Sequence, residues 1–277
     1  DLTADVRPGS GGTGVSVMDD LSGNWGIDPD KINFEKIDVA NANLTWGLVS
    51  TARGSLKNAQ VQIVKDEEGV WEMRVSNGKL SQNYLRDLSI TSLKIRLLED
   101  RLKLSDGEFT VGESGKGTLE GSILIGEYPK FDLTVRLDNC EMAAVLPKYT
   151  GAEVTRMTPE EESTAMVIDK LRDMLVGRIT GAIKLEGSSN SAAGIKTVGS
   201  LAFNEATEQT LRILSVPLFD DLGGKTGNGH LRRPLVTEGS LAFVTSEGVC
   251  TISGMNLQLG QSAKLMGEFS FGVEKQA

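Results

Sequence analysis

A chain of 277 residues, 39% hydrophobic and 24% charged, has the composition of a folded globular protein with a substantial core. Its formal net charge is -9, with 38 Asp and Glu against 29 Lys and Arg, so a phosphate backbone meets net repulsion and nucleic acid is excluded as a natural partner. No stretch approaches the ~18 uninterrupted apolar residues of a membrane-spanning helix.

The 32 glycines against 7 prolines, set between short apolar runs, predict many tight turns and hence many strands. The chain opens on Asp1, not on a methionine and an apolar run. A processed or truncated piece is therefore expected, with any signal or anchor lying upstream. Residues 1–30 read as a lead-in or long loop, because Pro8, Gly9, Gly11, Gly12 and Gly14 carry little periodicity.

Residues 31–150 read as a first antiparallel β unit. Apolar residues recur at every second position, most clearly in Phe131-Asp132-Leu133-Thr134-Val135-Arg136-Leu137, which gives a strand one dry face and one wet face. The same alternation marks Trp71 to Val75, Leu93 to Leu97 and Leu102 to Leu104, with a turn at Glu99-Asp100-Arg101. Charges at Lys94, Arg96, Lys103, Asp132 and Arg136 fall on the opposite face. The sheet is thus expected to be covered on one side only, which disfavours a parallel α/β architecture.

Residues 151–277 read as a helix plus a second β unit, continuous with the first. Thr158-Pro159-Glu160-Glu161 carries an N-cap, a first-turn proline and a capping glutamate, and Val167, Ile168, Leu171, Met174 and Leu175 follow at helical spacing towards a stop near Gly177. A shorter helix is expected from about Ala206 to Leu214, with Pro217 and Asp220 to Gly224 as a helix or turn that stops. Gly199-Ser200-Leu201-Ala202-Phe203 recurs letter for letter at Gly239-Ser240-Leu241-Ala242-Phe243. The run from Gly117 to Ile123 is echoed by the run from Gly177 to Ile183. A glycine entering a short alternating strand is the shared form, as expected of a sheet extended by repeated strand units.

The sequence holds no recognisable catalytic centre. Gly9-x-Gly11-x-x-Gly14 has the letters of a dinucleotide fingerprint without the flanking strand and helix. Gly224-Lys225-Thr226 ends like a phosphate-binding loop, but Phe219 replaces the required glycine. The sole histidine, His230, has no orienting carboxylate nearby in sequence and reads as a surface residue, so neither a metal nor a cofactor is expected. No pair of carboxylates stands out for glycoside hydrolysis, and Trp25, Trp46 and Trp71 read as core more than as sugar platforms. Cys140 and Cys250 could form one bridge or stay two buried thiols.

Three phrases together carry a family resemblance. The first is the strand run from Leu93 to Thr110, then Gly117 to Gly121, then Tyr128-Pro129-Lys130-Phe131-Asp132-Leu133, closing on Met142 to Pro147. The second runs from Gly177-Arg178-Ile179-Thr180-Gly181 through Gly199 to Phe203 and on to Val216-Pro217-Leu218-Phe219-Asp220-Asp221-Leu222. The third is Ile37 to Trp46. This pattern, spanning residues 30 to 273, resembles the C-terminal periplasmic region of the bacterial AsmA-like envelope proteins. The resemblance implies an extended curled β-sheet whose groove accommodates lipid. It further implies an inner-membrane anchor upstream, a periplasmic location, and a part in outer-membrane assembly or phospholipid transport. It supplies no catalytic residues.

Two functions follow as expectations. In the first, a non-enzymatic module holds a phospholipid or other envelope lipid, or meets envelope proteins, with Leu93, Ile95, Leu97, Phe131, Leu133, Val135 and Leu137 as the lipid-contacting face. In the second, a structural or adhesive β module binds a protein partner through an edge strand. The apolar side chains suit either an open groove or a closed core.

Overall fold

The computed structural model describes residues 2–6, 36–47, 53–65, 67–82, 85–125, 129–145, 166, 169–170, 172–188, 194–247, 249–261 and 263–272. The strands in chain order are β1 (Leu2–Val6), β2 (Lys36–Gly47), β3 (Arg53–Lys65), β4 (Trp71–Ser76), β5 (Gly78–Gln82), β6 (Leu85–Leu98), β7 (Arg101–Val111) and β8 (Gly115–Leu124). They continue with β9 (Lys130–Glu141), β10 (Leu175–Ser188), β11 (Ile195–Asn204), β12 (Leu211–Ile213), β13 (Leu235–Ser246), β14 (Val249–Leu259) and β15 (Ala263–Gly272). Two helices, α1 (Met142–Val145) and α2 (Pro217–Thr226), and 3-10 turns at Glu205–Thr207 and Gly229–Arg232 complete the described elements.

All the strands join one 15-stranded sheet, in which each strand from β6 to β11 pairs with the next in sequence. The predicted mainly antiparallel β fold with short helices is what forms; among the described residues only the pairing of β1 with β2 is parallel. Two rows are made of two segments each. β4 and β5 follow one another between β3 and β6, and β11 and β12 do so between β10 and β13. β9 and β10 pair from Lys130 opposite Ser188 to Glu141 opposite Arg178, so the runs before and after residue 150 share one sheet. Across a sheet this wide the twist between neighbouring strands accumulates.

A line of left-handed residues crosses the sheet. Asn58, Asn77, Asp106 and Asn139 have φ of 53, 55, 50 and 52, and Gly254 has 57. The ladders slip in register at Ala42/Leu44, at Leu104/Gly107, at Ile179/Gly181 and at Ile252/Met255, which marks most of these positions as bulges. Asparagine and aspartate are the non-glycine residues that best tolerate this conformation. Most of the fully buried apolar side chains lie on one side of the line. They include Leu56, Leu88, Ile90, Phe109, Ile179, Leu211, Val236, Leu257 and Leu259. Met142 of α1 and Phe219 of α2 belong to the same cluster and help to cover that half.

The helical expectations fare unevenly. Residues 169–170 and 172–174 are helical, and the chain becomes strand at Leu175, two residues before Gly177. The expected start at Thr158-Pro159-Glu160-Glu161, and the positions of Val167, Ile168 and Leu171, lie outside the described residues. The expected helix from Ala206 to Leu214 is corrected. After the 3-10 turn the chain extends as β12, where Leu211 pairs with Gly177 and Val236 and packs into the core. The helix forms instead at Pro217, with proline in its first turn, and runs past Gly223 and Gly224 to a left-handed Gly227. Within the lead-in expected over residues 1–30, Leu2–Val6 is strand β1.

Candidate functional site

The sheet is amphipathic across its width, and this face is the candidate site. In a ladder, directly opposed residues share a face. One such row runs Ile37, Ile63, Met73, Ile95, Leu104, Gly121, Leu133, Leu185, Thr197, Thr245 and Cys250, from β2 to β14. The neighbouring row, one residue along each strand, runs Lys36, Val64, Glu72, Arg96, Lys103, Ser122, Asp132, Glu186 and Lys196 on the other face. Pairing alone therefore converts alternation within each strand into one apolar and one charged surface.

Beyond the bulge line the apolar surface is only partly covered. Val39, Ile63, Met73, Leu93, Val135, Ile183, Leu201 and Leu241 are half-buried against the core cluster, and Leu97 is 43% exposed. Six of the seven residues expected to form the lipid-contacting face, Leu93, Ile95, Leu97, Phe131, Leu133 and Val135, lie on this partly covered surface, on β6 and β9. β7 and β8 run between them. The rows Ile95–Leu104–Gly121–Leu133 and Leu97–Leu102–Ile123–Phe131 join the two strands. Leu137, the seventh, points to the same face just before the bulge at Asn139, but it is 7% exposed and belongs to the core cluster. Leu102, Ile123, Ile183 and Leu185 belong to the same surface although sequence reasoning did not pick them. Their own alternation with Lys103, Ser122, Lys184 and Glu186 is the signal that would have found them.

Glycines shape this surface. Leu137 sits directly between Gly117 and Gly181 on the flanking strands, and the Phe109 ring lies where a Cβ on Gly117 would stand, 2.3 Å from it. The repeated pentapeptide has the same logic. β11 and β13 are adjacent and antiparallel, with Gly199 opposite Phe243, Leu201 opposite Leu241 and Phe203 opposite Gly239. The repeat thus pairs with itself, each phenylalanine meeting the other copy's glycine.

The charged face is internally paired and mostly exposed, although Glu72 within it is buried. Lys184 bonds Glu186 and lies 3.4 Å from Asp132, which raises the lysine's pKa and lowers that of Glu186. Arg178 reaches Glu141 at 3.3 Å and Ser114 at 2.6 Å. A depression of about 580 Å³ on this face is bordered by Asp38, Gln62, Arg74, Lys94 and Asp106. Its charges are matched in place, with Lys94 2.8 Å from Asp106, Gln62 donating to Asp38 at 2.9 Å, and Arg74 held to Glu72 at 2.6 Å.

The motifs set aside in the sequence are distributed as follows. Gly224-Lys225-Thr226 ends α2, so the loop precedes no helix N-terminus that could receive a phosphate. His230 is exposed in the 3-10 turn, with its backbone N–H donating to Asn228 Oδ1 at 3.1 Å. Gly9 to Gly14 and Trp25 lie outside the described residues. Trp71 on β4 has the Lys65 ammonium 4.9 Å above its ring. Among the described residues no group of His, Cys, Asp and Glu is placed to hold a metal ion. Cys140 and Cys250 are free, buried thiols on β9 and β14, and burial pushes the Cys140 thiol pKa up. Among the described residues no helix is long and apolar enough to cross a membrane. No family model, curated protein or solved structure matches the chain.

Proposed function

We propose that this protein is a non-enzymatic module of the bacterial cell envelope that accommodates lipid acyl chains on the apolar face of its sheet. The observation that carries the reading is the run of apolar residues and one glycine from Ile37 to Leu185 in this cross-strand row, with half-buried apolar side chains beside it and a charged face behind it. An acyl chain laid along it leaves water at a gain of about 0.8 kcal/mol per buried CH2. The row crosses the strands, so a chain can lie along the strand order without a closed pocket. In keeping with the AsmA-like strand pattern, the reading places the module in the periplasm, anchored to the inner membrane, in phospholipid transport or outer-membrane assembly.

The test is solvent extraction of the purified protein followed by mass spectrometry for phospholipid, with Ile95→Asp and Leu133→Asp as variants whose folding is checked by circular dichroism. Bound lipid in the wild type and its loss from the folded variants is the expected result. Folded wild type that neither carries nor takes up phospholipid from vesicles overturns it. The second reading is a β module that binds a protein partner through a sheet edge; among the described residues the strand order ends at β15, which pairs with β14.

A further inference from the structure

Lys65 and Trp71 stand at one end of the outermost row of the apolar surface, opposite one another across the β3–β4 hairpin. Trp71 is one residue beyond Glu72, which pairs with Arg96, so it lies level with Leu97 on β6. From Leu97 the row continues through Leu102, Ile123 and Phe131. Of these residues only Lys65 is charged. Its ammonium sits 4.9 Å from the centre of the Trp71 ring.

Lys65 is exposed and Trp71 is half-buried. An indole offers an apolar body to hydrocarbon and a polar N–H to the wet side, and a lysine lays its stem on apolar surface while its ammonium stays in water. The pair therefore marks where the apolar row meets solvent. An ammonium has three N–H donors, more than one ring face can engage, so Lys65 can also hold an anion. The turn that follows reads Asp66-Glu67-Glu68. Glu68 is held to Arg96 at 2.8 Å, and Glu67 is exposed. A headgroup that brings only negative charge is thus attracted by the lysine and repelled by the turn, whereas one that carries an ammonium beyond its phosphate satisfies both.

We propose that Lys65 and Trp71 form a headgroup site for a zwitterionic aminophospholipid. The phosphate accepts from Lys65 Nζ, the headgroup ammonium lies against the acidic turn, and the glycerol end rests on Trp71. An acyl chain then runs along the row from Leu97 to Phe131. Trp71 and Phe131 are four strand spacings apart, about 19 Å, which gives a long chain room to lie flat. The inference rests on the lipid reading above and adds to it which end of the lipid lies where and which headgroup is preferred.

The test uses the full chain with Trp25→Phe and Trp46→Phe, which leaves Trp71 as its one tryptophan. Phosphatidylethanolamine brominated near the glycerol end of one acyl chain is offered from vesicles, and quenching of Trp71 fluorescence is read. Phosphatidylglycerol and diacylglycerol with the same brominated chains are the comparisons. Phosphatidylethanolamine is expected to quench Trp71 and to bind about fivefold or more tighter than phosphatidylglycerol. Lys65→Gln should weaken phosphatidylethanolamine about fivefold while leaving diacylglycerol unchanged, and Lys65→Arg should restore it; circular dichroism confirms that the variants stay folded. Equal weakening of both lipids by Lys65→Gln, or a preference for phosphatidylglycerol, overturns the proposal. So does glycerophosphoethanolamine that binds as tightly as the lipid, which would assign the pair to a soluble phosphate ester. Phosphatidylethanolamine found by extraction without quenching of Trp71 overturns the headgroup site and leaves the lipid reading standing, whereas a chain that takes up no lipid sinks both.

Discussion

At Gly121 and Gly199 the missing side chain makes room for different neighbours, and the two costs should differ. A Cβ on Gly199 would stand 2.4 Å from Cζ of Phe243, the far end of a ring on a half-buried residue that can swing aside. A Cβ on Gly121 would stand 2.1 Å from the Asp132 carbonyl oxygen, which the ladder holds in place, and Gly121 has φ of 140, outside the range of L side chains. Gly199→Ala should therefore cost about 1 kcal/mol and Gly121→Ala about 3 kcal/mol or more. Combining Gly199→Ala with Phe243→Leu should recover part of the loss, because a shorter side chain leaves the new methyl its space. Denaturant midpoints of the single and double variants provide the measurement. Strict additivity at Gly199 and Phe243 would show that the ring is not what the alanine displaces.

At the scale of the strand, the bulge line is set by residues that accept a left-handed backbone. Asn139 is the clearest case. Its N–H donates to Thr180 Oγ1 at 3.0 Å and its carbonyl accepts from Arg178 at 3.2 Å, while its own Oδ1 is buried with no partner. The backbone conformation, not the side chain, is what the site needs. Asn139→Gly should thus be neutral or slightly stabilising, and Asn139→Val should cost about 1–2 kcal/mol, since a β-branched residue is strained at positive φ. Equal stabilities for the two variants would mean that β9 can straighten without loss. Such bends are local and were not legible in the sequence, where nothing sets Asn139 and Asp106 apart from other polar residues. The strands around them were legible, because Leu93 to Leu97 and Phe131 to Leu137 advertise period two. The stretch from Ala206 to Leu214 misled for the opposite reason. Its Ala, Glu, Gln and Leu favour helix, but two flanking strands offer Leu211 a ladder on both sides and a core to fill, and pairing overrides propensity. In α2, Gly223 and Gly224 read as a stop, yet Gly223 lets Arg232 of the following 3-10 turn approach to 2.4 Å of where its Cβ would be.

For the whole molecule the question is whether the runs before and after residue 150 can exist apart. The second β unit was expected to continue the first beyond the interrupting helix, but alternation cannot say which strand is neighbour to which. The pairing of β9 with β10 answers this by burying Leu137 and Cys140 from one run and Ile179 and Phe203 from the other in a single core. Arg178 adds an ion pair with Glu141 and a hydrogen bond to Ser114 across the same seam. Cutting there would bare two long strand edges together with half of an apolar face, a combination that invites aggregation. Residues 1–150 and 151–277 expressed separately should accordingly be insoluble or poorly folded, whereas co-expression should yield a soluble complex with the circular dichroism of the intact chain. Two separately soluble fragments with cooperative melting transitions of their own would instead make the β9–β10 ladder a docking contact between domains. In that case the cross-strand row from Ile37 to Cys250 would be two shorter surfaces, and the binding face would have to be sought within one of them.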